Sequence, residues 1–463
     1  MNYELLISYE LDWGFKMDSL MISISGVRGI VGEGFTPEIV ARFSAAFAAF
    51  TGKGTVVVGS DTRTSNYMFK YAVFSGLLSG GSQVIDVGVC PTPSLQLMVE
   101  KLKADGGIVI TGSHNPAQWN ALKFVRSDGL FLYPEQAKIL LKIYNGRKIG
   151  RVQWDKVGKV RKDSTAIKNH LDKVLQSVNR EKIRSKRFRV VLDSCNGAGA
   201  LISPELLQRL GCQVVELNSR PDGRFAHSPE PVASNLTQLS QLVEFEKADI
   251  GFAHDADADR VAIVTEQGRI LPEDYSLLLA TKFTLANKRG LVVTNLSTTR
   301  ALDEVTAQFN CPLKRTRIGD IHVSRCMKEK KAVIGGEGNG GVILPQIHYA
   351  RDGIAAIALL LEYLAETNES ISKLASNLPH YYIIKRKLKT ARENFSLLKI
   401  RLKKEFRGAK FNFLDGIIVD LDKSWIHVRH SGTEPVIRII TEAKTKREAE
   451  DLYKLASSFL KAA

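Results

Sequence analysis

The chain has 463 residues, 44% hydrophobic and 25% charged, and a net charge of +16. That length allows two to four domains with sizeable cores. No apolar run approaches the ~18 residues of a membrane span, and the five cysteines show no CxxC pair and no metal-ligand spacing. The low thiol density fits a reducing, cytoplasmic setting. Basic clusters at 180–189, 385–389 and 401–407 lack the aromatic interleaving of a nucleic-acid footprint. They read as solvated surface that steers anionic substrates, so neither nucleic acid nor membrane is expected as a partner.

The first twenty residues, MNYELLISYELDWGFKMDSL, have no periodicity and no basic n-region leading an apolar h-region. They read as a tail, or as an upstream start codon called in error, with Met17 or Met21 as the natural start. PEIVARFSAAFAAF (37–50) has helical spacing, and TVVVGSDTR (55–63) and GGIVITGSH (106–114) read as buried strands ending in polar turns. FRVVLDSCNGAG (188–199) is the next strand. SPELLQRLG (203–211) follows as a helix, with Ser203 as N-cap, Pro204 at the first helical position and Gly211 as terminator. ADIGFAHDADADR (248–260) and GLVVTNLSTT (290–299) continue the alternation, and GIAAIALLLEYLAE from Gly353 reads as a core helix. Strand–helix alternation that restarts three times predicts three similar α/β units with mixed or parallel sheets. After about residue 378 the pattern changes to YYIIKRKLK, a helix over 391–406 and two strands, FLDGIIVDL and WIHVRH, a smaller α+β unit.

Four segments carry candidate chemistry. TGSHNP (111–116) places Ser113 and His114 in a turn after a central strand, with no GxSxG elbow to suggest a hydrolase. HDADADR (254–260) alternates Asp255, Asp257 and Asp259, which share one side if the segment is extended. Their mutual repulsion then calls for a hard cation, Mg²⁺ or Ca²⁺. An EF-hand is excluded, because Arg260 stands where that loop needs glycine. GGEGNGGV (335–342) sets Glu337 and Asn339 among five glycines, suited to a ligand rich in hydroxyls or amines. RHSGTEPVIR (429–438) offers Arg429, Ser431, Thr433 and the amides around Gly432 as an oxyanion cradle.

In this order the four segments resemble the α-D-phosphohexomutase family, which includes phosphoglucomutase, phosphomannomutase and phosphoglucosamine mutase. The motifs are T-x-S-H-N-P, D-x-D-x-D-R, G-E-x-x-G and R-x-S-G-T-E-P; SISGVRGI (23–30) and VGSDTR also look like family segments. The resemblance implies four domains around a central cleft: α/β domains at 21–150, 160–272 and 273–376, carrying the serine, metal and sugar loops, and an α+β domain at 379–463 with the phosphate loop. It implies a phosphoserine at Ser113, one Mg²⁺ held by its phosphate with Asp255, Asp257 and Asp259, and a sugar 1,6-bisphosphate as intermediate and activator. Arg28, His114, Lys123 and Arg260 are then expected near the reacting oxygen, with His114 or Lys123 assisting proton transfer. Arg429, Ser431, Gly432, Thr433 and Arg438 are expected on the non-reacting phosphate, and Glu337 and Asn339 on the sugar.

The sugar loop departs from the G-E-x-S-G-H common in phosphoglucomutase/phosphomannomutase enzymes: Asn339 takes the serine position and Gly341 the histidine position. GEGNGGV resembles the loop of many non-classical bacterial and archaeal phosphoglucosamine mutases. The expected substrate is therefore glucosamine phosphate, with mannose or glucose phosphate as the alternative.

Overall fold

The computed structural model describes residues 20–23, 26–146, 149–388, 395–430 and 436–461. The tail at 1–19 and Ser431, Gly432 and Thr433 lie outside the described residues.

The apolar runs form strands in four sheets. The first has seven strands, with parallel Gly106–Ile110, Thr55–Ser60, Gln83–Val89 and Val160–Lys162 continued by antiparallel Trp119–Arg126, Gly26–Ile30 and Met21–Ser23. The second runs Val261–Thr265, Ile250–His254, Arg189–Asp193, Gln213–Leu217, and the third Leu313–Thr316, Val292–Asn295, Ile334–Glu337, Gly341–Ile343. Each has two parallel pairings and one antiparallel edge. The fourth, from Tyr382–Leu388 to Lys410–Asn412, is antiparallel throughout and packs against helices Phe395–Glu405 and Lys446–Lys461.

The three α/β sheets share one device. A parallel strand turns straight into an antiparallel neighbour: Gly106–Ile110 into Trp119–Arg126, Ile250–His254 into Val261–Thr265, and Ile334–Glu337 into Gly341–Ile343. The serine, metal and sugar loops are these three connections. In the fourth sheet the phosphate segment likewise joins Trp425–His430 to its antiparallel partner Ile437–Ala443.

One apolar core runs through the second and third domains, around helix Gly353–Thr367. Twelve of its fifteen residues are buried, so the core-helix expectation holds. Among the described residues no helix is long and apolar enough to cross a membrane. The Ser203 expectation does not hold: helix Ser203–Arg209 already includes Ser203, and Ile202 caps it without a side-chain bond. The Ser203 hydroxyl instead meets His254 Nε2 at 2.9 Å, a tertiary contact that outcompetes local capping.

Candidate active site

The serine loop is built around a buried guanidinium. Arg63 donates to the carbonyls of Ser113 (2.7 Å), Asn115 (2.6 Å), Pro116 (2.7 Å) and Trp119 (2.9 Å), and its Nε meets Asp61 Oδ2 at 3.2 Å. Asp61 also accepts from Thr111 Oγ1 at 2.5 Å. A side chain at Gly112 would place its Cβ 2.6 Å from Arg63 Cζ, so the close approach requires glycine there. Thus held, Ser113 takes a left-handed φ of 49°, and its hydroxyl lies 3.0 Å from Asp255 Oδ2 of the second domain. Ser113 is buried, 5% exposed, where the two domains meet.

The metal loop is not the extended segment that its alternation suggested. Residues 255–260 form a turn, with Ala258 at φ 53°, because the chain must reverse into the antiparallel strand Val261–Thr265. His254 braces the turn from strand end to strand start, its Nδ1–H donating to the Arg260 carbonyl at 2.9 Å. The three aspartates still converge: a carboxylate oxygen of each lies within 4.8 Å of the others, and all three residues are buried.

Neighbours from two other domains complete the pocket. Asp257 Oδ2 accepts from Lys123 Nζ at 2.7 Å and Thr92 Oγ1 at 2.6 Å. The Thr92 amide, at the start of helix Thr92–Lys101, donates to the Asp257 carbonyl at 3.0 Å, so a positive helix end faces the acids. Asp259 Oδ2 accepts from Arg351 Nη2 at 2.6 Å. Burial, then repulsion from Asp257 and Asp259, pushes the Asp255 carboxyl well above its usual range. Burial also pushes Asp257 up, but the Lys123 ammonium outweighs it and holds that carboxyl below its usual range.

Asp257 Oδ1 and Asp259 Oδ1 are buried without a hydrogen-bond partner. Two orphaned anionic oxygens in a dry pocket are costly unless a cation takes them. An all-oxygen carboxylate set fits a hard divalent ion, so the residues present suit Mg²⁺.

The other expected site residues gather at the same place. Arg260 Nη2 donates to His114 Nδ1 at 3.0 Å. Burial and the cations Arg260 and Arg28 keep the His114 imidazole well below its ordinary pKa. Arg28 donates to Asn115 Oδ1 at 3.3 Å, and burial and Arg260 lower it to about 10.

On the sugar side, Glu337 is fully engaged. Its Oε1 accepts from Asn295 Nδ2 at 2.8 Å and the Gly319 amide at 3.2 Å, and its Oε2 from Arg351 Nη1 at 2.9 Å. Asn339 spends its amide on its own loop, reaching Glu337 Oε2 at 3.4 Å and the Gly341 amide at 3.3 Å. Lys385 of the fourth domain straps this loop, donating to the Gly338 carbonyl at 3.0 Å and to Glu273 at 2.8 Å.

Arg429 and Arg438 stand directly opposite one another on paired strands, and Asp415 Oδ1 meets Arg429 Nε at 3.1 Å. Like charges in register repel unless an anion lies between them. Arg438 also lies close enough to Arg28 to act on it electrostatically.

Residues 21–149 match phosphoglucomutase/phosphomannomutase alpha/beta/alpha domain I, 168–268 domain II, 272–382 domain III and 384–454 the C-terminal domain. The chain belongs to the phosphoglucomutase/phosphomannomutase family. It is 39% identical over 446 residues to a phosphoglucomutase/phosphomannomutase of Thermococcus kodakarensis, covering 95% of this chain and 98% of that one. To a probable phosphoglucosamine mutase of Methanopyrus kandleri it is 38% identical, covering 92% and 95%. A crystal structure of a family protein from Burkholderia thailandensis superposes with a TM-score of 0.84 at 26% identity, covering 97% and 98%. The family's members are phosphohexomutases, and the four-domain architecture expected from sequence is the one observed.

Several residues that build this family site had no role in the sequence reading. Arg63 stood in the noted VGSDTR segment, where an acid–base pair at a strand end is a signal for an internal salt bridge. Thr92 follows Cys90 and Pro91, a helix-start signal beside no obvious chemistry. Arg351 and Asp352 are a charged pair directly before a helix whose first nine residues are all apolar. A charge there must be satisfied internally, which is a signal, though it names no partner.

Proposed function

We propose that this chain is a phosphohexomutase that interconverts glucosamine 6-phosphate and glucosamine 1-phosphate through a phosphoserine at Ser113. The observation that carries the proposal is the Ser113 hydroxyl 3.0 Å from Asp255, on a buried triad with two open anionic oxygens. A hydroxyl placed there gains nothing in packing. A phosphate on it would share a divalent ion with the three aspartates.

In the first half-reaction the sugar O1 attacks the phosphoserine phosphorus, the P–Oγ bond breaks, and the O1 proton passes by way of a nearby base to the departing Ser113 Oγ. His114 is kept neutral and becomes that base once its Nδ1 lone pair is released from Arg260, whereas Lys123 is held by Asp257 and Asp259. The 1,6-bisphosphate then reorients, and Ser113 Oγ attacks the 6-phosphate, which regenerates phosphoserine and releases the 1-phosphate. Mg²⁺ held by Asp255, Asp257, Asp259 and the serine phosphate would neutralise charge on the transferring oxygens. Arg260 adds a fixed positive charge there. Arg429 and Arg438, with Ser431, Gly432 and Thr433, bind the non-reacting phosphate in each orientation. Glu337 orients the ring by accepting a sugar hydroxyl in place of its longest contact, the 3.4 Å bond from Asn339.

The amino sugar is favoured by the GEGNGGV loop and by relatives named probable phosphoglucosamine mutase. A relative of similar identity named phosphoglucomutase/phosphomannomutase supports the alternative, glucose or mannose phosphate. Assay of glucosamine 6-phosphate, glucose 1-phosphate and mannose 1-phosphate side by side decides between them. Release of inorganic phosphate without isomerised sugar would overturn the mutase reading altogether.

A further inference from the structure

Gly341 stands where the G-E-x-S-G-H pattern has histidine. Its backbone does not demand glycine: the residue opens strand Gly341–Ile343 and is not among the positive-φ glycines. Space demands it. A Cβ at 341 would lie 2.3 Å from Arg351 Cδ and 3.0 Å from Cγ.

Arg351 is held there from both ends. Its backbone bridges to Ile343 opposite. The next residue, Asp352, caps helix Gly353–Thr367 through the amides of Ile354 and Ala355, both at 3.0 Å. Asp352 is itself fixed by His170 Nε2 at 2.7 Å and His348 Nε2 at 3.0 Å. The guanidinium meets three carboxylates from two domains: Glu337 Oε2 at 2.9 Å, Asp259 Oδ2 at 2.6 Å and Asp320 Oδ2 at 3.3 Å. Those acids outweigh the cost of its burial and raise it well above its ordinary pKa.

We infer that Arg351 takes the place of the loop histidine: its stem fills the space a side chain at 341 would occupy, and its head positions Glu337 for the sugar while tying the sugar loop to the metal loop. This rests on the phosphohexomutase reading. Arg351 is a positioning residue, acting on the sugar through Glu337, and Gly341 and Arg351 form one exchangeable unit.

The test is a cycle of Arg351→Ala, Gly341→His and the double variant, with KM measured on whichever of the three sugar phosphates the wild type isomerises. Arg351→Ala is expected to raise KM about tenfold, the scale of one charge-assisted hydrogen bond. Gly341→His alone is expected to lower Tm by collision with the Arg351 stem. The double variant should recover KM at least about threefold relative to Arg351→Ala and regain Tm relative to Gly341→His. A double variant with the KM of Arg351→Ala, or worse, overturns the inference. Arg351→Lys guards against misfolding: it keeps the charge but lacks the guanidinium's two separate nitrogens, Nη1 on Glu337 and Nη2 on Asp259, so KM should rise with Tm near wild type, and an unchanged KM would be equally fatal. A wild type that isomerises none of the three sugars would sink the mutase reading instead. The Tm cycle needs no turnover, and strictly additive losses in it would still overturn the shared-space claim.

Discussion

The metal loop and the sugar loop occupy the same topological position, each the connection from a parallel strand into its antiparallel neighbour. Their acids have opposite fates. In the metal loop, three carboxylates converge and two oxygens are left without a hydrogen bond, one of them only 3.8 Å from Arg260 Nε. In the sugar loop, both oxygens of Glu337 are taken by Asn295, Gly319, Arg351 and Asn339. The same backbone device therefore yields a charge-deficient pocket that wants an ion, or a finished acceptor with fixed geometry. The neighbours brought by other domains decide which.

The most severe way to break the comparison lies on the metal side. Ser113→Ala should abolish turnover while circular dichroism stays that of the wild type. Arg63 holds the loop through main-chain carbonyls that the substitution keeps. The left-handed φ at 113 costs alanine only ~1 kcal/mol. Intact-mass measurement of active protein should find one phosphate, absent from the variant; full activity without it would disprove the phosphoserine.

Asp257→Asn removes one ligand charge and the Lys123 counterion together. Turnover should fall about a hundredfold, and Mn²⁺ binding read by electron paramagnetic resonance should weaken about tenfold or more. Chelation with EDTA should inhibit the wild type and Mg²⁺ restore it. If exhaustive chelation leaves the rate untouched, the triad is structural and the contrast between the loops collapses.

Asn339→Ser should act more mildly, because Asn339 shapes the loop around an acceptor already in place. A loss of about threefold to tenfold in kcat/KM for glucosamine phosphate, and less for glucose phosphate, matches one directional hydrogen bond. Equal losses for both sugars would mean that Asn339 does not select.

The smallest effect concerns how the fourth domain supports the sugar side. His427 is buried between Ser297 Oγ, 3.0 Å from Nδ1, and the Asp415 carbonyl, 2.6 Å from Nε2, and Asp415 Oδ2 also holds the Ile318 amide at 2.9 Å. Burial lowers His427 to about 4. Below an unfolded pKa of ~6.5 the unfolded chain binds the proton more readily, so stability is full above ~6.5 and falls as pH drops towards 4. At pH 5 the loss is about 2 kcal/mol. Thermal unfolding from pH 7 to 5 should register it, with a flatter slope in His427→Gln. Identical slopes would remove His427 from the acid sensitivity.

The sequence by itself determined the α/β alternation, the core helix from Gly353 and the four loops in order, because period-2 and 3.6 patterns and turn residues are local signals. It also named Ser113 and the three aspartates, since a hydroxyl and clustered acids at strand ends have few bland explanations. It misjudged the local shape twice. The aspartates converge through a turn at Ala258 rather than along an extended strand, and Ser203 serves His254 rather than its own helix. Only the tertiary structure decided which charges meet. Arg63 under the serine loop, Thr92 and Lys123 against Asp257, and Arg351 between Asp259 and Glu337 are all contacts between distant segments. Their energy comes from burial, and burial depends on how domains close on one another, which no local pattern in the chain records.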